Sequence, residues 1–118
     1  MKHLFVPYDI ALMAKGKGFN EDCITRWGET SKKLYETWKP MKNSEDCEDF
    51  TTAPLYQQLI DWFEEKHNIF IEVRKLNDNK WCYQIHGPSK FDLIHIPSII
   101  SKYESYHRAF FEAFKLIK

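Results

Sequence analysis

The chain has 118 residues, 43% hydrophobic and 16% aromatic, with 17 Lys and Arg balanced by 17 Asp and Glu. This length and aromatic content suit one folded domain with its own core and exclude a disordered tail. A net charge of zero withholds the basic surplus on which sequence-independent nucleic-acid binding depends.

Cys23, Cys47 and Cys82 are odd in number and widely spaced, so neither a disulfide framework nor a zinc ribbon is expected. Cys23 and Cys82 fall in strand-like runs, where a thiol serves as a small buried hydrophobe. The opening MKHLFVPYDIALMAK is interrupted by Pro7 and Asp9, unlike a signal peptide, and no segment has the apolar length of a membrane span. The expectation is a cytoplasmic protein with no membrane partner and reduced thiols.

Residues 4–6 are apolar and either pair as a short strand or simply pack. The spacing predicts a helix over Tyr8 to Lys17, with Ile10, Met13 and Ala14 on one face. Gly18 is placed for a left-handed cap, with Phe19 folding back onto the last turn. CITRW (23–27) and KLYETW (33–38) alternate as two strands of a hairpin around Gly28 to Lys32, stopped by Pro40. The polar, acidic KPMKNSEDCEDFTT (39–52) reads as an internal linker.

APLYQQLIDWFEEKHNIFIEV (53–73) reads as an amphipathic helix running into a strand. Leu55, Leu59, Trp62 and Lys66 follow helical spacing, and Tyr56, Ile60 and Phe63 widen the stripe. Pro54 suits a first helical turn, and Asn68 can take the left-handed conformation that ends the helix. Ile69, Ile71 and Val73 then open a strand. WCYQIH (81–86) and a run around Phe91 to Ile96 complete a meander across the turns LNDNK (76–80) and Gly87-Pro88-Ser89. Pro97 should end the third strand. Ser105 should cap a final helix over 105–117 that shows Tyr106, Ala109, Phe110, Ala113, Leu116 and Ile117 on one face.

The predicted fold is therefore α+β. It is an antiparallel three-stranded meander with two helices on one face (α-β-β-β-α), preceded by a short helix and a β-hairpin. The chain is read as one domain over 1–118, with the helix and hairpin in 1–38, the linker in 39–52 and the core in 53–118. Ile69, Ile71, Val73, Trp81, Tyr83 and Ile85 are expected to face the helices, and Glu72, Arg74, Gln84 and His86 the opposite side.

Chemistry-bearing constellations are sparse. His3, His67, His86, His95 and His107 include no H-x-x-x-H pair. His86 and His95 can face each other across the last hairpin and with Cys82 would make a thin transition-metal site, although solvated or core-edge histidines are the commoner reading of such a pair. No G-x-S-x-G elbow is present, and the acidic run Glu45, Asp46, Glu48, Asp49 lacks the internal glycine and terminal glutamate of a calcium loop. The GKG at 16–18 lies at a helix end, whereas phosphate loops open a helix. No catalytic, cofactor-binding or metal residue is expected, and the protein is read as a non-enzyme. Arg26-Trp27 and Lys80-Trp81 pair a cation with an aromatic ring, as base stacking requires, although strand tryptophans ordinarily pack the sheet.

TAPLYQQLIDWFEEKHNIFIEV with its following W-x-Y-x-I strand, the closing SYHRAFFEAFKLIK and the early DIALMAKGKGF resemble the small uncharacterised proteins encoded by phages and mobile elements of gut bacteria. That resemblance rests on helix stripes, caps and strand starts, and implies no catalytic residue. In topology alone, the helix–meander–helix order resembles the double-stranded-RNA-binding domain. That likeness implies phosphate contacts at the start of the last helix. The corresponding KYESYHR offers Lys102, His107 and Arg108 with Glu104 among them, and Lys80 or Lys90 on a neighbouring loop. The expected function is binding of a macromolecular partner, a protein first and nucleic acid second.

Overall fold

The computed structural model describes residues 4–45, 49–76, 80–88, 93–99 and 101–117, and for Trp38 and 93–99 the backbone alone. His3, Asp46, Cys47, Glu48, Ser89, Lys90 and Phe91, together with turn residues 77–79, lie outside the described residues. The fold is α+β, and by its contacts the chain divides into two compact units, Met1–Leu59 and Ile60–Lys118.

The first unit opens with Phe5 bridged to Leu55, while the Val6 amide donates to the Pro54 carbonyl at 3.0 Å. Helix α1 (Tyr8–Gly16) follows. Gly18 takes φ +91°, and the Phe19 amide reaches back to the Ala14 carbonyl at 2.9 Å. This is the expected left-handed cap, and it drives the Phe19 side chain into the core, where 1% of it is exposed.

Strands β1 (Cys23–Gly28) and β2 (Leu34–Met41) form the expected antiparallel hairpin. Pro40 does not stop it. The strand runs on to Met41 because β2 is a sheet edge and its register is irregular between Cys23 and Thr25 of β1, where a missing N–H costs no ladder bond.

The linker expected over 39–52 is not one. It holds the end of β2, a single 3-10 turn (Asn43–Glu45) and a third strand, β3 (Phe50–Thr52), which pairs with β1 to give the order β2-β1-β3. One polar side chain of the segment, Asn43, is bonded to the backbone of neighbouring elements. Asn43 donates to the Phe19 carbonyl and accepts from the Thr52 amide, both at 2.9 Å, and Asn20 accepts from the Ser44 amide at 2.8 Å. Thr51 and Thr52 are fully buried, and α1 lies against β3.

Helix α2 (Tyr56–His67) starts later than its proline suggests. Pro54 lies before the helix with its carbonyl bonded to Val6, and the first helical bond runs from the Leu59 amide to Leu55. The boundary between the two units falls inside this helix.

In the second unit Asn68 adopts φ +55° and the Ile69 amide closes on the Phe63 carbonyl at 3.1 Å, so α2 turns at once into β4 (Phe70–Lys75). Strands β5 (Trp81–His86) and β6 (Leu93–Ile99) complete the antiparallel meander β4-β5-β6. Pro97, like Pro40, lies within an edge strand rather than at its end. It falls where the register shifts between Trp81 and Tyr83.

Helix α3 (Lys102–Lys115) begins one turn earlier than predicted. Ser101 is the N-cap, its hydroxyl accepting from the Glu104 amide at 3.0 Å, with a glutamate at the third helical position as in a capping box. Ser105 is instead buried in the first turn, donating to the Ser101 carbonyl at 2.9 Å.

α3 lies on β4 and β5, with Ala109, Phe110, Ala113 and Phe114 buried beneath it. On the sheet Ile71, Tyr83 and Ile85 are buried as expected, and so is Ile69 just ahead of it, whereas Val73 and Trp81 are half-buried. Cys82, assigned to the opposite side by alternation, is also buried, opposite the register shift that places Pro97 and Ser98 against it.

Candidate interaction face on helix α3

The face of α3 turned away from its core stripe is not uniformly polar. Tyr103, His107 and Phe111 follow one another at the i, i+4 spacing that makes neighbours on a helix surface. Tyr103 is 43% exposed and Phe111 44%, with His107 half-buried between them. Two large aromatic residues left more than two-fifths exposed, on a helix that has already buried a full apolar stripe, are the feature of this surface that core packing does not explain.

Charges border the row on both sides. Lys102 holds its ammonium 5.9 Å from the Tyr103 ring centre and 5.5 Å from that of Trp81, and Lys115 lies 4.9 Å from the Phe111 ring. Arg108 pairs with Glu104 at 2.9 Å and Lys115 with Glu112 at 3.2 Å. Ion pairs this exposed contribute little to stability. Their effect here is to fix charges of both signs around an aromatic strip.

A cleft of about 330 Å³ opens beside the row, lined by Tyr83 of β5 and by His107, Arg108, Phe111 and Glu112 of α3. Burial, reinforced by the Glu112 carboxylate and opposed by Arg108, holds the Tyr83 hydroxyl above the ordinary tyrosine range. Tyr83 is therefore a neutral hydroxyl at the cleft floor throughout the physiological range.

The basic residues singled out from sequence are distributed unevenly. Lys102, His107 and Arg108 come together on α3, but with Glu104 bonded to Arg108. Lys80 is exposed, and Lys90 lies outside the described residues. Of the two basic–aromatic pairs, Trp27 is 5% exposed and donates its indole N–H to the Val6 carbonyl at 2.9 Å, so it packs the sheet. Trp81 is half-buried beneath Lys102.

His86 is hydrogen-bonded to Gln84 at 2.7 Å, and among the described residues no group of three or more His, Cys, Asp or Glu side chains could hold a metal ion. The thiols of Cys23 and Cys82 are free and buried. The charge pattern that singles out Lys102, His107 and Arg108 does not single out Tyr103 and Phe111. The signal was present, since both lie off the core stripe of Tyr106, Phe110 and Ala113.

No helix among the described residues is long and apolar enough to cross a membrane. No family model, no curated protein and no solved structure matches this chain.

Proposed function

We propose that this is a small non-enzymatic cytoplasmic protein, of the kind encoded by phages and mobile elements, that acts by binding a protein partner through the outer face of α3. The observation that carries the reading is the Tyr103–His107–Phe111 row, exposed at its two aromatic ends and bordered by Lys102, Glu104, Arg108, Glu112 and Lys115. Exposed aromatic anchors surrounded by polar groups are what protein interfaces are built on. A partner suited to this face presents an apolar patch ringed by charges of both signs.

Nucleic acid, the second reading, calls for a surface of one sign to displace counterions. The acidic Glu104 and Glu112 interleaved with Lys102, Arg108 and Lys115 favour protein instead.

Quantitative capture from a host lysate tests the reading, with the parent chain compared against a Tyr103→Ala/Phe111→Ala variant. The expected result is a nuclease-insensitive protein that the variant retains at least about tenfold less, as loss of two interface anchors implies. Equal recovery by the variant, or turnover of a small molecule with no partner retained, would overturn it.

A further inference from the structure

Of the sheet edges among the described residues, three carry devices that prevent pairing with another chain. β2 has Pro40 and an irregular register, β6 has Pro97 at a register shift, and β3 is three residues long. Prolines, bulges and shortness are how proteins blunt edges. β4 has none of these. Its six residues pair with β5 from Phe70↔His86 to Lys75↔Trp81 without a break, and its other side pairs with no strand among the described residues.

The side chains along that edge have a definite pattern. Phe70, Glu72, Arg74 and Leu76 alternate onto the side away from α3, with Phe70 44% and Leu76 40% exposed, and Glu72 and Arg74 joined at 3.1 Å. On the helix side Val73 is half-buried at the rim.

We propose that β4 is a homodimerisation edge, pairing antiparallel with β4 of a second copy about a two-fold axis through Val73. In this register Glu72 of each copy faces Arg74 of the other, Phe70 faces Leu76, and the two Val73 side chains meet on the helix side. The two meanders become one continuous six-stranded sheet, three strands from each copy.

The sequence of the edge selects this register. Sliding by two residues either way sets Glu72 against Glu72 or Arg74 against Arg74. Sliding by one turns apolar against polar faces. A two-fold interface must be self-complementary, and apolar–acidic–basic–apolar read against its own reverse is so. A single strand pair buries less than a stable interface needs, so the dimer is weak and reversible, with a Kd in the micromolar range.

Sedimentation of the full chain tests this with charge exchange at exposed positions that leave the fold intact. The parent should shift from one 14.2 kDa chain toward twice that mass as concentration rises. Glu72→Arg and Arg74→Glu should each weaken association by about tenfold or more, because each sets like charges opposite one another twice. Glu72→Arg/Arg74→Glu should restore it, and a mixture of the two single variants should form a heterodimer. A parent that remains a single chain at about 1 mM, well above any micromolar Kd, would overturn the proposal. So would a dimer indifferent to both reversals.

Discussion

Phe63 of α2 and Phe110 of α3 stack nearly parallel and offset, ring centres 6.1 Å apart and planes within 15°, with both side chains fully buried. Phe114 closes on the same Phe63 ring at 4.9 Å, and Tyr106 stacks on Phe110 at 6.1 Å. Phe110→Ala should therefore cost about 3–5 kcal/mol, the penalty for emptying a buried phenylalanine site. Glu72→Ala, exposed on the far side of the sheet, should stay within about 0.5 kcal/mol. Denaturant melts of the two variants decide between this assignment of faces and its reverse.

The α3 start is set by Ser101. Ser101→Ala removes the acceptor for the Glu104 amide and should cost about 1 kcal/mol. Ser105→Ala should cost less, because its hydroxyl duplicates a bond the Ser105 amide already makes to the Ser101 carbonyl. A helix cap at Ser105, as the sequence alone suggests, would give the opposite ranking in thermal melts.

Legibility in the sequence followed periodicity. The α3 stripe and the middle of the α2 stripe, Leu59, Trp62 and Phe63, depend on repeated burial and are visible without coordinates, whereas β5 departs from alternation at the buried Cys82. What was hidden depends on single polar contacts or on edge position. Nothing in NSEDCEDFTT announces that Asn43 bridges Phe19 to Thr52, or that three residues pair with β1. Pro40 and Pro97 look like stops because a central strand cannot hold proline, and whether a strand is an edge is a tertiary property. For the candidate face, Lys102, His107 and Arg108 were found by charge, whereas the Glu104 bond that offsets Arg108 needed geometry.

Burial pushes the Cys23 thiol up from 9.0 to about 12, helped by the Glu21 and Asp22 carboxylates and opposed by hydrogen bonding with the Thr52 and Gln58 side chains. The unfolded chain loses this proton near pH 9 while the folded chain keeps it, so stability is unaffected below that pH. It should fall as pH rises from about 9 toward 12. Tyr83 and Tyr106, both also raised by burial, add to the loss at the upper end. Melts at about pH 8 and pH 10 should differ by about 1 kcal/mol more in the parent than in Cys23→Ala. An equal difference would place the thiol in contact with water.

Site-specific photo-cross-linking from Phe111 tests the central claim most directly, with Ile24 as reference because it is the more exposed apolar side chain, at 57% against 44%, and lies on β1. With a photoreactive phenylalanine analogue at each position in turn, the account predicts a discrete cross-linked protein from position 111 and none from position 24. It also predicts that Arg108→Ala weakens the adduct. Cross-linking equally strong from both positions, or from position 24 alone, would contradict it.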